Sequence, residues 1–82
     1  MIFMVTMRFH ADDPEVFRAL VPQEQAHVRE LTEQGTIHAL YLAADGSSGW
    51  MVMRGNAEED IESLLTNFPL RPHMTVEIMP LR

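Results

Sequence analysis

Apolar and polar positions alternate from Ile2 to Phe9, with Phe3, Val5, Met7 and Phe9 sharing one face, and this period of two predicts a strand. Ile2 and Met4 occupy the other face, so the first half of the strand is apolar on both sides. Asp12-Asp13-Pro14-Glu15 reads as a helix start, with an aspartate N-cap, proline at the first helical position and an acid in the first turn. Helical spacing continues to Gln34, and Gly35 stands where a helix end favours glycine. Pro22, inside that span, lacks a backbone donor and predicts a kink or a split near Val21.

Thr36 to Ala44 reads as a second strand, placing His38, Leu40 and Leu42 on one face and Ile37, Ala39, Tyr41 and Ala43 on the other. Asp45-Gly46-Ser47-Ser48-Gly49 is turn composition, and Trp50 to Arg54 returns as the hairpin partner. Asn56-Ala57-Glu58-Glu59 has the form of a capping box opening a helix whose stripe is Ile61, Leu64, Leu65 and Phe68. Pro69 stops that helix, Pro72 is expected to keep the next residues extended, and Met74 to Met79 is the last strand. The order βαββαβ predicts an α+β, ferredoxin-like fold: a four-stranded antiparallel sheet with two helices on one face. Two helices cover only one face of such a sheet, yet the first two strands are apolar on both. The uncovered face therefore predicts a homodimer or higher homo-oligomer.

Length and charge narrow the function classes. Eighty-two residues make one domain, 1–82, whose core is marginal at this size. No cysteine is present, which excludes disulfides and thiolate-held zinc and leaves oligomerisation as the expected extra stabiliser. The net charge is −6, without a basic stripe, so neither nucleic acid nor an anionic membrane surface is an expected partner. The opening apolar run lacks a basic leader and is too short to span a bilayer, so a cytoplasmic protein is expected.

The first helix carries the chemistry-bearing position. At about 100° per residue, Phe17, Leu20, Val28 and Leu31 fall within about 40° of Glu24, which centres the apolar stripe, and His27 is about 60° away. A carboxylate there is costly unless paired, neutralised or wetted, and its pKa rises toward what a general base near neutrality needs. The alternative is that Glu24 caps a helix segment restarted by Pro22. His27 is either a partner of Glu24 or a satisfied boundary residue. His38 reaches Glu24 if its face looks toward the helices, and is a structural histidine if it looks into the dimer. Substrate-binding candidates are Arg71, Tyr41, His73 and Trp50. His10 and His73 end strands, where solvated histidines are common. Glu24 and His27 form a single i, i+3 pair with no HExxH-type motif, so no metal is expected. Met1, Met4 and Met7 alternate in face and read as lining or core.

Phe68-Pro69-Leu70-Arg71-Pro72-His73-Met74, leading into a last strand and Pro80-Leu81, is similar to the Leu-Pro-Leu-Phe-Pro-Tyr-Met segment of muconolactone isomerases. The opening Met1-Ile2-Phe3-Met4-Val5 and a helical glutamate eleven residues before a glycine, here Glu24 and Gly35, also resemble that family. The resemblance implies a dimeric α+β barrel and a cofactor-free enzyme that moves a proton within a butenolide, with Glu24 in the family position. It departs after the first helix. Where the family has a run resembling Trp-Arg-His-Leu-Trp-Arg, this chain has Ile37-His38-Ala39-Leu40-Tyr41-Leu42. Loss of both arginines removes partners for a carboxylate, so muconolactone itself is expected to be a poor substrate, and Arg71 is the first candidate replacement. Taken together, these features point to a cofactor-free isomerase or cyclase acting by proton transfer on a small lactone-like or polyketide-like molecule. Glu24 is the expected base, with His27 or His38 as its partner. The alternative is a non-catalytic, dimeric small-molecule-binding module.

Overall fold

The computed structural model describes residues 1–10 and 12–82. The chain runs β1 (Ile2–Phe9), α1 (Pro14–Glu33), β2 (Ile37–Leu42), β3 (Ser48–Arg54), α2 (Glu58–Thr66), a 3-10 turn (Arg71–His73) and β4 (Met74–Leu81). The strands form one antiparallel sheet in the order β2-β3-β1-β4, with both helices on one face, so the ferredoxin-like βαββαβ arrangement is present. Alternation in β1 does what its period requires. Phe3, Val5 and Met7 are buried, and opposite the first two lie Met53 and Met51 of β3, also buried. Ile61 and Leu65 of α2 and Leu31 of α1 close over them to make the core.

Local chemistry explains both helix starts. Asp13 caps α1 by accepting the N–H groups of Glu15 and Val16, with Pro14 as the first helical residue. At α2 the box lies one residue later than the sequence pattern suggests. Ala57 is the N-cap, and the Asp60 carboxylate accepts the N–H groups of Asn56 and Ala57, each at 3.1 Å. A carboxylate at the third position reaches back to the free donors without help from a capping side chain.

Four details differ from the expected pattern, each for a local reason. Helix α1 is one continuous helix through Pro22, not split. Pro22 is exposed, so the carbonyl deprived of its N–H partner can be hydrated. Residues 71–73 form a 3-10 turn instead of continuing extended, a conformation that the fixed φ of Pro72 allows. Strand β4 extends past Met79 through Pro80 because it is an edge strand, where a missing donor is tolerated. Finally, β2 has a bulge between Ile37 and Ala39. Ile37 pairs with Met53 and Leu40 with Met51, so Ile37 shares the helix-side face with Leu40 and Leu42, and exposed His38 absorbs the extra residue.

The opposite sheet face remains uncovered in the single chain. Met4, Val52 and Met79 lie in register across three strands there, beside the Tyr41–Trp50 pair. Tyr41 and Met79 are 64% and 62% exposed.

Candidate active site

A cavity of about 310 Å³ lies between α1 and the helix-side face of the sheet. Helix α1 supplies Phe17, Val21, Glu24, Gln25, Val28 and Arg29, which are successive members of one helical stripe and its flank. Met7, Phe9, Leu40, Leu42 and Met51 form the sheet wall. Leu70, after α2, and Gly46, in the β2–β3 turn, complete it. The volume suits a small organic molecule, and the walls are apolar apart from Glu24, Gln25 and Arg29.

The turn over the cavity is braced. Gly46 adopts φ +76°, which a glycine reaches without strain. The Asp45 carboxylate accepts both the Ser47 hydroxyl (2.7 Å) and the Ser47 N–H (2.9 Å), and these bonds stabilise its ionised form and hold its pKa below the ordinary aspartate value. Ser47 in turn accepts the Phe9 N–H at 3.0 Å, fixing the turn against the end of β1.

Glu24 is 9% exposed, the one charged side chain among the buried residues described. Its Oε1 accepts the Leu70 N–H at 3.0 Å. Desolvation pushes its carboxyl above the ordinary glutamate value, and the Leu70 N–H and His27 offset only part of that rise. Its hydrogen-bond partner therefore lies across the cavity, in the segment after α2, and not in a restarted turn of α1. The bond presents one carboxylate oxygen to a fixed donor and leaves the other available to a ligand.

The remaining sequence candidates are dispersed. His27 is half-buried and does not line the cavity; it lies edge-on to Phe68 with ring centroids 4.8 Å apart, near enough to Glu24 to favour its charged form, and its buried Nε2 has no partner among the described residues. His38 projects from the β2 bulge into solvent, because the bulge breaks the alternation that would have aimed it at the helices. Arg71 donates to the Met74 carbonyl at 3.1 Å and lines a separate groove with Glu58, Glu62, Val76 and Ile78. His73 stands behind Phe17, ring against ring at 6.2 Å, and does not itself line the cavity. Tyr41 and Trp50 pair on the opposite sheet face. Among the described residues no cluster of three or more histidines or carboxylates is placed to hold a metal.

The family model for muconolactone delta-isomerase matches residues 1–82. The chain belongs to this family. A muconolactone delta-isomerase of Rhodococcus opacus is 29% identical over 69 residues, covering 84% of this chain and 74% of that protein. A crystal structure of muconolactone isomerase superposes with a TM-score of 0.82 at 26% identity, covering 99% of this chain and 88% of that one. A dehydrochlorinase from Burkholderia phenoliruptrix, acting on 5-chloro-2-hydroxyhydroquinone, shares the fold with a TM-score of 0.73 at 14% identity, covering 100% and 94%. Within the family frame, the Leu70 backbone donor and Arg29 were not singled out from sequence. The signal for Arg29 was weak: at about 100° per residue it lies about 140° round the helix from Glu24, well outside the apolar stripe. The Leu70 donor had none: it meets Glu24 only through a contact 46 residues apart in sequence.

Gly49 marks how tightly the sheet wall is built. A Cβ there would come 2.9 Å from Leu42 Cδ2, 3.0 Å from Met7 Cε and 3.3 Å from the Tyr41 carbonyl. Met7 and Leu42 both line the cavity, so the added methyl pushes the wall inward. Gly49→Ala is expected to remain folded, to lose about 1 kcal/mol by overpacking, and to discriminate more strongly against bulky ligands. Thermal melts and ligand titration of the variant check both effects.

Proposed function

We propose that this chain is an isomerase that shifts a double bond within a small lactone-like molecule by proton transfer, without a cofactor. The observation that carries the reading is Glu24: a buried carboxyl facing an apolar cavity, its acidity weakened by desolvation and its position held by the Leu70 N–H. In the forward step a ring C–H beside the lactone carbonyl breaks, its proton passes to the free Glu24 oxygen, and its electron pair enters the conjugated enolate. The same proton is then delivered to the far carbon of that system, and the double bond settles in its new place. A carboxyl with a raised pKa favours both halves, because it accepts the proton more readily than an ordinary glutamate and still returns it.

The proposed working form is a homodimer in which two copies bury the uncovered sheet face carrying Met4, Val52, Trp50 and Met79. Tyr41 and Trp50 then serve the interface. The proposed location is the cytoplasm. Among the described residues no helix is long and apolar enough to cross a membrane.

Incubation with unsaturated γ-lactones in D₂O, followed by NMR, tests the activity. A shifted double bond with solvent deuterium appearing at ring carbon is the expected result. Lactones that bind while showing neither shift nor exchange would leave a non-catalytic binding module. Carbon–carbon ring closure of a polyketide-like substrate, in place of a shift, would make it a cyclase.

A further inference from the structure

We infer that His27 is a positioning residue for Glu24: without lining the cavity, its imidazole acts through space on the carboxyl and favours the ionised form. This rests on Glu24 being the base, as proposed above, and concerns a side chain that does not itself meet the ligand.

Glu24 and His27 are three residues apart on α1, so they are neighbours on one helix surface, with Cβ atoms about 5–6 Å apart. Both reach the same segment after α2. Glu24 accepts the Leu70 N–H at 3.0 Å, and His27 packs edge-on against Phe68, two residues earlier. That segment is held by its own backbone. The Phe68 N–H donates to the Leu65 carbonyl at 3.0 Å, the Arg71 N–H to the Phe68 carbonyl at 2.9 Å and the His73 N–H to the Leu70 carbonyl at 2.8 Å. Phe68 is itself buried. The imidazole is therefore fixed from two sides, beside both the carboxyl and the segment that anchors it.

Packing alone does not account for a histidine here. Its Nε2 is buried with no hydrogen-bond partner among the described residues, a cost that a phenyl or aliphatic side chain against Phe68 avoids. The surroundings leave Glu24 as its one close charge. On α1 the other carboxylate one turn away is Glu30, which is exposed and accepts the Gln34 amide at 3.5 Å. Phe68, Pro69 and Leu70 carry no charge, and α2 packs inward through Ile61, Leu64 and Leu65 while its acids are exposed. Strand β2 turns Ile37, Leu40 and Leu42 to the helix side and His38 to solvent. Desolvation drives the Glu24 carboxyl toward its neutral form, and a nearby imidazolium opposes that drive. A base must be ionised before it can take a proton. His27 supplies that bias while the cavity wall stays apolar.

His27→Phe and His27→Lys separate charge from packing. Phenylalanine keeps a ring against Phe68 and removes the charge, whereas lysine gives up the ring and stays cationic throughout the carboxyl titration. The readout is the pKa of Glu24, from NMR titration of its side-chain carboxyl without substrate. The expected order is His27→Phe highest, wild type next and His27→Lys lowest. The two variants are expected to differ by about one pH unit or more, the scale of one opposite charge at this range. His27→Gln, smaller and neutral, is expected to follow His27→Phe. The Leu70 amide proton, which reports the bond to Glu24, is expected to keep its shift in His27→Phe. A Glu24 pKa unchanged in both neutral variants would overturn the inference, as would a His27→Lys value at or above that of His27→Phe. Loss of the Leu70 bond in His27→Phe would overturn it too, because the ring would then act by packing. The acid limb of lactone turnover is expected to move in the same order as the pKa values. Turnover that survives Glu24→Gln would remove the base assignment, whereas the titration order tests the link to His27 with no substrate present.

Discussion

Glu24→Gln is expected to lose about 10²–10⁴-fold in turnover, the usual range for removing a general base, while remaining folded. Glutamine keeps the length of the side chain and an oxygen for the Leu70 N–H, so the geometry at 3.0 Å has no reason to change. It has no oxygen basic enough to take the proton. Stability should move in the opposite direction. The folded-state pKa of Glu24 lies above the ordinary value of 4.5, so between those two values the folded protein holds more protons than the unfolded chain. The stabilising contribution of this group is therefore full below the ordinary value and is lost as pH rises through the folded one. Glu24→Gln removes that dependence, and the variant is expected to melt higher than the wild type at neutral pH. The gap should close at about pH 4, where the wild-type carboxyl is protonated in both states. Melts at the two pH values, run beside the lactone assay, check both halves. A variant that is less stable at neutral pH would mean that the Leu70 contact outweighs desolvation, and unchanged turnover would remove Glu24 from the mechanism.

Val52→Glu carries the other large effect, on assembly. Val52 sits on β3 between Met4 of β1 and Ala39 of β2, in the middle of the uncovered sheet face. In a lone chain the new carboxylate remains solvated. In a dimer built on that face the two-fold axis brings two such charges into an apolar interface, at a cost of several kcal/mol. The wild type is expected to run as a dimer by light scattering at micromolar concentration, and the variant as a monomer. The monomer should also melt lower, because a domain of this length buries little core on its own. A monomeric wild type would leave the exposed Tyr41, Trp50 and Met79 without a role.

What could be read along the chain was what short-range physics controls. Ile2–Phe9 matched its strand residue for residue because Phe3, Val5 and Met7 on one face of β1 are buried, and a register slip there would expose them. Pro14 and Asp13 marked the start of α1 because capping is settled within four residues. Glu24 stood out because helical periodicity puts it among apolar neighbours whatever the helix packs against. The same reasoning failed at β2, where one bulged residue reversed the face of Ile37 and turned His38 to solvent. A bulge is decided by pairing with β3 and leaves no mark in local alternation. Arg71, Tyr41, His73 and Trp50 were placed by kind of residue, and tertiary packing put them in another groove, on another face or behind Phe17. Only the folded chain brought the Leu70 N–H to Glu24 and opened a cavity with Arg29 at its mouth, because a cavity is made by elements far apart in sequence and its walls have no common period.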